Sequence, residues 1–307
     1  MKILNDEVDV EVIGFGALNM DRVYSVENIA GKDEETFINS KKDTPGGSAA
    51  NTIIGLSKLG IKTSFIGKIA EDDDGEAIEL NLAFNEVFTN NLIYSNEGNT
   101  GLVHDFVDKD GNRALYVDPG VNDNILIGEI NPKNVNSTKI IHYSSFVGDS
   151  FKAQNELLDA LNDDIILSFD PGMIYIDKGI DAISKILNRT NILLINENEL
   201  KKLFNNEVFS IKELAKKILN FGIDTVVVKK GSKGVYALNK DDEIEVESFN
   251  VDVVDTTGAG DSFNAGFLYS YLKGFSLLKS CTIGNWTASK SIQSMGMEGF
   301  PSKNELK

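Results

Sequence analysis

The interpretation of this chain starts from one stretch of nine residues, Asp255-Thr256-Thr257-Gly258-Ala259-Gly260-Asp261-Ser262-Phe263. It follows a predicted strand and a short connection, and it opens a predicted helix over 260–273. The small residues at 258–260 allow backbone amides to approach a ligand closely, and the helix N-terminus gives those amides a positive field. The stretch therefore predicts a site for a phosphoryl group, whose negative charge must be held during transfer.

Asp261 lies in the first turn of that predicted helix, beside the anion site. A carboxylate there either caps the helix or acts as a general base that takes the proton of an attacking hydroxyl. A capping aspartate needs no Gly-Ala-Gly before it. The combination favours the general base.

Strands and helices alternate through most of the chain, and the uninterrupted apolar run Ile192–Ile195 is typical of a strand covered on both faces. The pattern predicts an α/β fold with a doubly wound, mainly parallel sheet and helices on both faces. Predicted strands lie at 9–18, 63–69, 138–144, 164–169, 191–195, 224–228, 234–239 and 243–248. Predicted helices lie at 48–59, 75–84, 150–161, 178–188, 197–204, 210–220, 260–273 and 276–291.

One region interrupts this alternation. Thr100–Val107 and Arg113–Val117 flank Lys109-Asp110-Gly111-Asn112, whose Asp-Gly pair is a strong hairpin signal. With part of 19–45, this hairpin is predicted to form a small β addition beside the core.

Composition narrows the class of protein. Of 307 residues, 41% are hydrophobic and 25% charged, which favours a globular protein over a disordered one. Cys281 is the only cysteine, so a disulfide scaffold is excluded. No apolar run approaches the roughly 20 residues that span a bilayer, and Met1–Glu7 lacks the apolar core of a signal peptide. We therefore expect a cytoplasmic protein with no membrane partner.

The net charge of the chain limits which kinds of partner it can bind. Asp and Glu number 47 against 30 Lys and Arg, a formal net charge of −17, so a nucleic acid would be repelled and is not expected as a partner. An anionic small substrate remains compatible with this charge, because a site can be locally positive. His104 and His142 are the only histidines, and they support neither a metal-binding pair nor a Ser-His-Asp set.

Two motifs resemble the signatures of the ribokinase-like (PfkB) sugar kinases. The stretch 255–261, followed by Ala265-Gly266, is similar to the second signature, and Pro45-Gly46-Gly47-Ser48-Ala49-Ala50-Asn51 to the first. The resemblance runs from residue 13 to about 302. It implies a single kinase domain over 1–307, with a β lid from about 17–45 and 99–118 inserted in the α/β core. Because family lids commonly serve as dimer contacts, it also implies a homodimer through the lid.

The resemblance assigns roles to the matching residues. It implies that Gly258, Ala259 and Gly260 form an anion hole, that Asp261 is the catalytic base, and that Asp255 and Thr257 help to hold a monovalent cation such as K⁺ in cation-activated members. The residues implied to bind the acceptor are Asn19, Asp21, Gly46, Gly47 and Asn51. The residues implied to serve ATP and Mg²⁺ are Asn196, Glu199, Lys229, Gly231, Gly234 and Asn285.

Within these sets, Asn19 and Asp21 are expected at the end of the first strand, where they hydrogen-bond sugar hydroxyls. Glu199 and Asn196 are implied to orient Mg²⁺ and phosphate through water. Asp170 closes a predicted strand toward the same rim and is expected to shape the site without a chemical role.

The resemblance implies an ATP-dependent kinase that transfers the γ-phosphate to a primary hydroxyl of a carbohydrate, with ribose or a related pentose preferred. A nucleoside is the second acceptor class, for whose base Phe37, Phe106 or Tyr116 would line a slot. A phosphosugar or 2-keto-3-deoxygluconate is the third, and a phosphosugar would need cations such as Lys41, Lys42 or Arg113. A catalytically inactive sugar- or nucleotide-binding regulator is the alternative from another class, disfavoured because Asp261 and the turn before it are intact. A structural protein is disfavoured further.

Overall fold

A computed structural model describes residues 9–205 and 208–306. Its strands are β1 (Val12–Phe15), β2 (Asn19–Val26), β3 (Ile38–Gly46), β4 (Thr63–Ala70), β5 (Val87–Phe88), β6 (Leu92–Ser95), β7 (Gly101–Val107), β8 (Arg113–Asp118), β9 (Ile140–Tyr143), β10 (Ile166–Phe169), β11 (Ile192–Asn196), β12 (Thr225–Lys229), β13 (Val235–Asn239) and β14 (Glu243–Val246). Its helices are α1 (Ser48–Lys58), α2 (Asp73–Phe84), α3 (Pro132–Val135), α4 (Ser150–Leu157), α5 (Gly172–Ile176), α6 (Ser184–Arg189), α7 (Glu197–Leu203), α8 (Ile211–Leu219), α9 (Ala259–Leu272) and α10 (Leu277–Ser291).

The main sheet has the strand order β14-β13-β12-β11-β10-β9-β1-β4-β5, and β6 also pairs with β4. Neighbours from β12 to β6 pair in parallel, whereas β13 and β14 join the edge as antiparallel strands. This confirms the predicted mainly parallel sheet.

Helices cover both faces of this sheet, because alternate residues of its strands enter two separate apolar cores. In β11, Leu193 and Ile195 belong to one core, together with side chains from α4 to α8. Ile192 and Leu194 belong to the other, together with side chains from α1, α9 and α10. The period of two therefore places helices on both faces, which confirms the predicted doubly wound arrangement.

A separate small sheet has the order β3-β2-β7-β8. Strands β2 and β7 are parallel, and the outer pairs are antiparallel. The hairpin predicted at Asp110-Gly111 joins β7 to β8, and Gly111 takes the positive φ of 82° that favours glycine. Asp108 accepts hydrogen bonds from the backbone amides of Asp110 and Asn112 and so closes this turn.

The predicted elements differ from the structure in several places. The first strand is shorter than 9–18, because the chain leaves the main sheet after Phe15 and Asn19 pairs with Gly46 and Gly101 in the small sheet. The helix predicted over 178–188 begins only at Ser184, and α5 forms in the segment before it. Strands β5 and β6 and helix α3 were not predicted, because two to four residues are too few to show a period.

Within the residues described, no helix is both long enough and apolar enough to cross a membrane.

Candidate active site

The predicted anion turn is at the N-terminus of α9. Gly258 caps this helix with φ 73°, a left-handed conformation that favours glycine, and Ala259 begins the helix. Gly260 and Ala259 line a cavity of about 810 Å³, so their backbone amides lie next to open space. The first turn of a 14-residue helix therefore meets a cavity that has room for a nucleotide.

Helix α1 holds the carboxylate of Asp261 at both oxygens. The Ser48 hydroxyl donates to Oδ1 at 2.7 Å, and the Asn51 amide donates to Oδ2 at 2.9 Å. Burial raises the pKa of Asp261 to about 6, and the hydrogen bonds from Asn51 and Ser48 oppose that rise. A fixed carboxylate with a pKa near neutrality is suited to accepting a proton from a hydroxyl.

Asp21 lies in β2, in the small sheet, rather than at the end of the first strand where it was expected. A Cβ on Gly46 would lie 2.2 Å from Asp21 Oδ2, so glycine is required at 46 for this carboxylate to occupy its place. Burial, and then the negative charge of Asp105, raises the pKa of Asp21 to about 7. Asp261 adds to this rise, which shows that the two carboxylates share one region.

Asp105 and Arg113 lie on the same face of the small sheet as Asp21, because strand partners share a face and side chains alternate along each strand. Arg113 binds both oxygens of the buried Asp105 carboxylate through Nε and a terminal nitrogen. The positive charge of Arg113 is thereby paired within the protein.

Asn19 is held by Asn122, whose side-chain amide donates to Asn19 Oδ1 at 2.9 Å and to the Leu18 carbonyl at 2.6 Å. Asn122 also accepts from the Leu18 amide. Gly47, with φ 123°, makes the sharp junction between β3 and α1.

The nucleotide residues predicted from the sequence fall into two groups. Lys229, Gly231, Gly234 and Asn285 line the same cavity as Gly260. The side-chain amide of Asn285 donates to the carbonyls of Val246 and Glu247, so it also fixes the cavity wall.

Asn196 and Glu199 form the second group and cap α7 reciprocally. The backbone amide of Asn196 donates to Glu199 Oε2 at 3.0 Å, and the backbone amide of Glu199 donates to Asn196 Oδ1 at 2.9 Å. Burial and then the charge of Asp170 raise the pKa of Glu199, while Lys229 opposes that rise. These two residues do not line the large cavity themselves, but Glu199 lies close enough to Lys229 to interact with its charge.

The carboxylate of Asp255 accepts hydrogen bonds from two backbone amides in different segments. Its Oδ1 accepts from the Thr257 amide and its Oδ2 from the Gly296 amide, each at 2.9 Å. Burial raises the pKa of this carboxyl, but the backbone hydrogen bonds outweigh burial and leave it lowered. Asp255 therefore joins the turn before α9 to the segment after α10. Across the described ranges, no group of three or more His, Cys, Asp or Glu side chains is placed to hold a metal ion.

Several residues of this region were not predicted from the sequence. Ser48 was quoted only as part of a motif, and Asp105, Asn122 and Asn264 were not singled out at all. Ser48 stands in the Gly-Gly turn before a helix, which is a local signal. Asn122 and Asn264 carry no local signal, because their partners are distant in sequence, whereas Asp105 has its partner Arg113 in the same predicted hairpin.

An α/β sheet with a phosphate-type helix N-terminus, a half-buried carboxylate beside it and a small accessory sheet fits a phosphotransferase that acts on an alcohol. The chain belongs to the pfkB family of carbohydrate kinases, whose sequence pattern matches residues 10–303.

Known proteins support this membership across nearly the whole chain. The chain is 40% identical over 253 residues to a protein of Archaeoglobus fulgidus described as an uncharacterized sugar kinase, with 81% of this chain and 98% of that protein covered. It is 31% identical over 284 residues to a nucleoside kinase of Methanocaldococcus jannaschii, covering 92% of this chain and 90% of the relative. The crystal structure of ribokinase from Thermotoga maritima superposes with a TM-score of 0.87 at 25% identity, covering 96% and 97%. The chain is thus an ATP-dependent sugar or nucleoside kinase with a ribokinase-like fold.

Proposed function

We propose that this kinase transfers the γ-phosphate of ATP to a primary hydroxyl of an uncharged sugar, with ribose or a related pentose as the first candidate. The observation that carries this proposal is the position of Asp261. Its half-buried carboxylate lies in the first turn of α9, directly after the Gly258–Gly260 turn and beside the cavity. A base and an anion site in one helical turn are what in-line phosphoryl transfer to a hydroxyl requires.

In the proposed reaction, Asp261 accepts the proton of the attacking hydroxyl while the backbone amides of 258–260 stabilise negative charge on the transferring group. Ser48 and Asn51 hold the base in place, and each carboxylate oxygen keeps a second lone pair that can take the proton. Asp21 and Asn19 orient the acceptor. Closure of the small sheet as a lid, which remains a prediction, would exclude water and suppress ATP hydrolysis.

The residues near the phosphate site fit a Mg²⁺ ion. Glu199 and Asp170 are two buried carboxyl groups that both interact with the ammonium of Lys229. Glu199 and Asn196 would hold the ion through water, as a hard cation that keeps most of its waters prefers. The ion would supply positive charge to the phosphate oxygens.

The charges around Asp21 support a neutral acceptor over a phosphosugar. A phosphosugar would bring a dianion next to Asp21 and Asp261. Two of the cations considered for it are already paired, Arg113 with Asp105 and Lys41 with Asp43. Like charges would therefore oppose a phosphorylated acceptor.

A nucleoside is the second candidate acceptor, and the relative from Methanocaldococcus jannaschii, itself named a nucleoside kinase, favours it. The aromatic slot proposed for its base is not supported by Phe106 or Tyr116. Strand alternation places both on the face of the small sheet opposite Asp21, where Phe106 stacks on Tyr24. Phe37 precedes β3 and is 84% exposed.

We also propose a homodimer formed through this opposite face. Tyr24, Phe106 and Tyr116 form a contiguous aromatic cluster there, and Tyr116 is 62% exposed. Covering such a patch is favourable. A Tyr116→Asp variant that remains dimeric by light scattering would contradict this arrangement.

A cytoplasmic location stays a prediction from the sequence.

The acceptor is tested by coupled ADP release with Mg-ATP, with and without K⁺. The panel contains ribose, fructose, fructose 6-phosphate, 2-keto-3-deoxygluconate, adenosine, cytidine and inosine. We expect turnover with ribose and little with fructose 6-phosphate. A K⁺ effect would support the cation site predicted at Asp255 and Thr257, and exclusive use of fructose 6-phosphate would overturn the neutral acceptor.

Asp261→Asn provides the test of the base. This variant should keep nucleotide binding and lose about two to three orders of magnitude in turnover. Asp241→Asn, an exposed loop aspartate, is the matched control and should behave as the wild type. Turnover by Asp261→Asn close to that of the control would remove Asp261 from the proposed role. Nucleotide binding without turnover of any acceptor by the wild type would favour the inactive regulator.

A further inference from the structure

Three buried polar side chains from three separate elements meet beside Gly260. Asp170 follows β10, Lys229 ends β12, and Asn264 lies in α9, one turn after Asp261. The Lys229 ammonium donates to Asp170 Oδ2 at 2.7 Å and to Asn264 Oδ1 at 3.1 Å. The Asn264 amide donates to the same Asp170 oxygen at 2.7 Å. The three side chains therefore form a closed triangle of hydrogen bonds.

This triangle is deeply placed. Asn264 is fully buried, and the side chains of Lys229 and Asp170 are only 14% and 10% exposed. Burying an ion pair costs desolvation energy that its own attraction does not reliably recover, so such a pair is weak evidence of a purely stabilising role. Its location next to a predicted phosphate site indicates a different purpose.

The triangle leaves part of the ammonium free. A lysine ammonium carries three protons, and Asp170 and Asn264 accept two of them. The Lys229 nitrogen lies 3.6 Å from the point where a Cβ on Gly260 would be, and Lys229 lines the cavity together with Gly260. One proton of the ammonium is thus not used by the triangle, and the nitrogen that carries it lies close to the anion turn.

The charge of Lys229 is secured by its neighbours. Burial lowers the pKa of this ammonium, but Asp170 and then Glu199 raise it by more, so the net shift is upward. Burial raises the pKa of the Asp170 carboxyl, while Lys229 and Asn264 lower it by more. Both groups are therefore charged at neutral pH, and the cation is present before any nucleotide binds.

We propose that Asp170 and Asn264 are positioning residues that hold the Lys229 ammonium against the Gly258–Gly260 turn, where it binds the terminal phosphates of ATP. The inference rests on the proposed function, because that function places the nucleotide phosphates at this turn. It gives Asp170 a task that the sequence did not indicate. Charge-assisted hydrogen bonds to phosphate are among the stronger ones, so a fixed ammonium contributes more than a mobile one.

Equilibrium titrations of the full chain with ATP and with AMP, in the absence of acceptor, test this inference. Lys229→Met should weaken ATP binding about ten- to a hundredfold, the loss expected for one charged hydrogen bond, and change AMP binding less than about twofold. Lys230→Met is the matched control, because the neighbouring Lys230 pairs with Glu245 instead. It should leave both affinities unchanged.

A double-mutant cycle tests whether Asp170 acts through Lys229. Asp170→Asn should weaken ATP binding in the wild-type background and have no further effect in the Lys229→Met background. The double variant replaces both charges of the Lys229–Asp170 pair by neutral groups, so its ATP and AMP affinities still test the role of Lys229 if a single variant folds poorly. Additive effects, or equal losses for ATP and AMP, would show that the triangle only stabilises the fold and would overturn the inference.

The two proposals fail in different ways. Turnover of a neutral sugar by the wild type, with unchanged ATP affinity in Lys229→Met, would overturn this inference alone. The predicted loss of ATP affinity in Lys229→Met, without turnover of any acceptor by the wild type, would support this inference and overturn the proposed function alone.

Discussion

The Ser48 hydroxyl lies 2.7 Å from Oδ1 of Asp261, although 213 residues separate the two in sequence. Asn51, one turn later in α1, donates to the other oxygen of the same carboxylate. The first turn of one helix therefore holds the first turn of another. This contact joins the two sequence motifs that resembled kinase signatures into one site.

The Ser48 contact has a measurable consequence. Ser48→Ala removes a donor that stabilises the charged form of Asp261, so the pKa of Asp261 should rise further. Turnover at pH 5, below the pKa in both proteins, should fall on the order of fivefold, the effect of one hydrogen bond of about 1 kcal/mol, and recover at pH 8. Steady-state kinetics across pH check this. A loss that is equal at both pH values would mean that Ser48 does not act through the charge of Asp261.

The pH profile of the wild type follows from the same carboxylate. Burial raises the pKa of Asp261 to about 6, and a base works only when it is deprotonated. Activity is therefore complete well above pH 6 and is lost as pH falls through that value, by about tenfold per unit below it. The measurement is kcat from pH 5 to 8 at saturating ATP and acceptor. A kcat that stays constant from pH 8 down to pH 5 would contradict the raised pKa.

Gly46→Ala should impair acceptor binding selectively. The added Cβ would lie 2.2 Å from Asp21 Oδ2 and would displace that carboxylate. We expect KM for the acceptor to rise on the order of tenfold, the loss of about one charged hydrogen bond, with KM for ATP unchanged. Gly128→Ala is the control, because a Cβ there meets nothing within 4 Å. Equal KM values for the acceptor in the two variants would refute the role of Asp21.

Gly266→Ala should lower stability through the contact between α9 and α10. A Cβ at 266 would lie 2.4 Å from Thr287 Oγ1 and 3.0 Å from the Ile283 carbonyl oxygen. Overpacking of this kind costs about 1–3 kcal/mol, despite the better helix propensity of alanine. The free energy of unfolding in urea gives the comparison, again with Gly128→Ala as control. An increase in stability would show that the two helices can separate without cost.

Much of the fold was predictable because its signals are local. The apolar run at Ile192–Ile195 and the Asp110-Gly111 turn each contain their own evidence within a few residues, and each forms as predicted. Short elements such as β5 and β6 lack that evidence, since they are held by pairing with β4 and not by their own pattern.

In the candidate site too, the residues with local sequence signals were predicted and those without such signals were not. The turn at 258–260 and Asp261 were found from the sequence, because backbone amides at a helix N-terminus and the carboxylate beside them are contiguous in the chain. Asp21 was assigned to the wrong strand, since strand membership depends on which distant segment supplies the hydrogen bonds. The predicted hairpin brought Asp105 near Arg113, but their ion pair was not predicted, because it depends on the register between the two strands.

The sequence by itself therefore determines the helix N-terminus, the hairpin and the alternation of strands and helices. Each of these depends on backbone geometry and side-chain spacing over a few neighbouring residues. Only the tertiary structure decides which residues bind Asp261, that Lys229 pairs with Asp170, and on which face of the small sheet Phe106 lies. These contacts join residues 59 to 213 positions apart, or depend on the register between strands. Only the packing of the whole sheet brings such groups within hydrogen-bonding distance and removes the water that would otherwise compete for them.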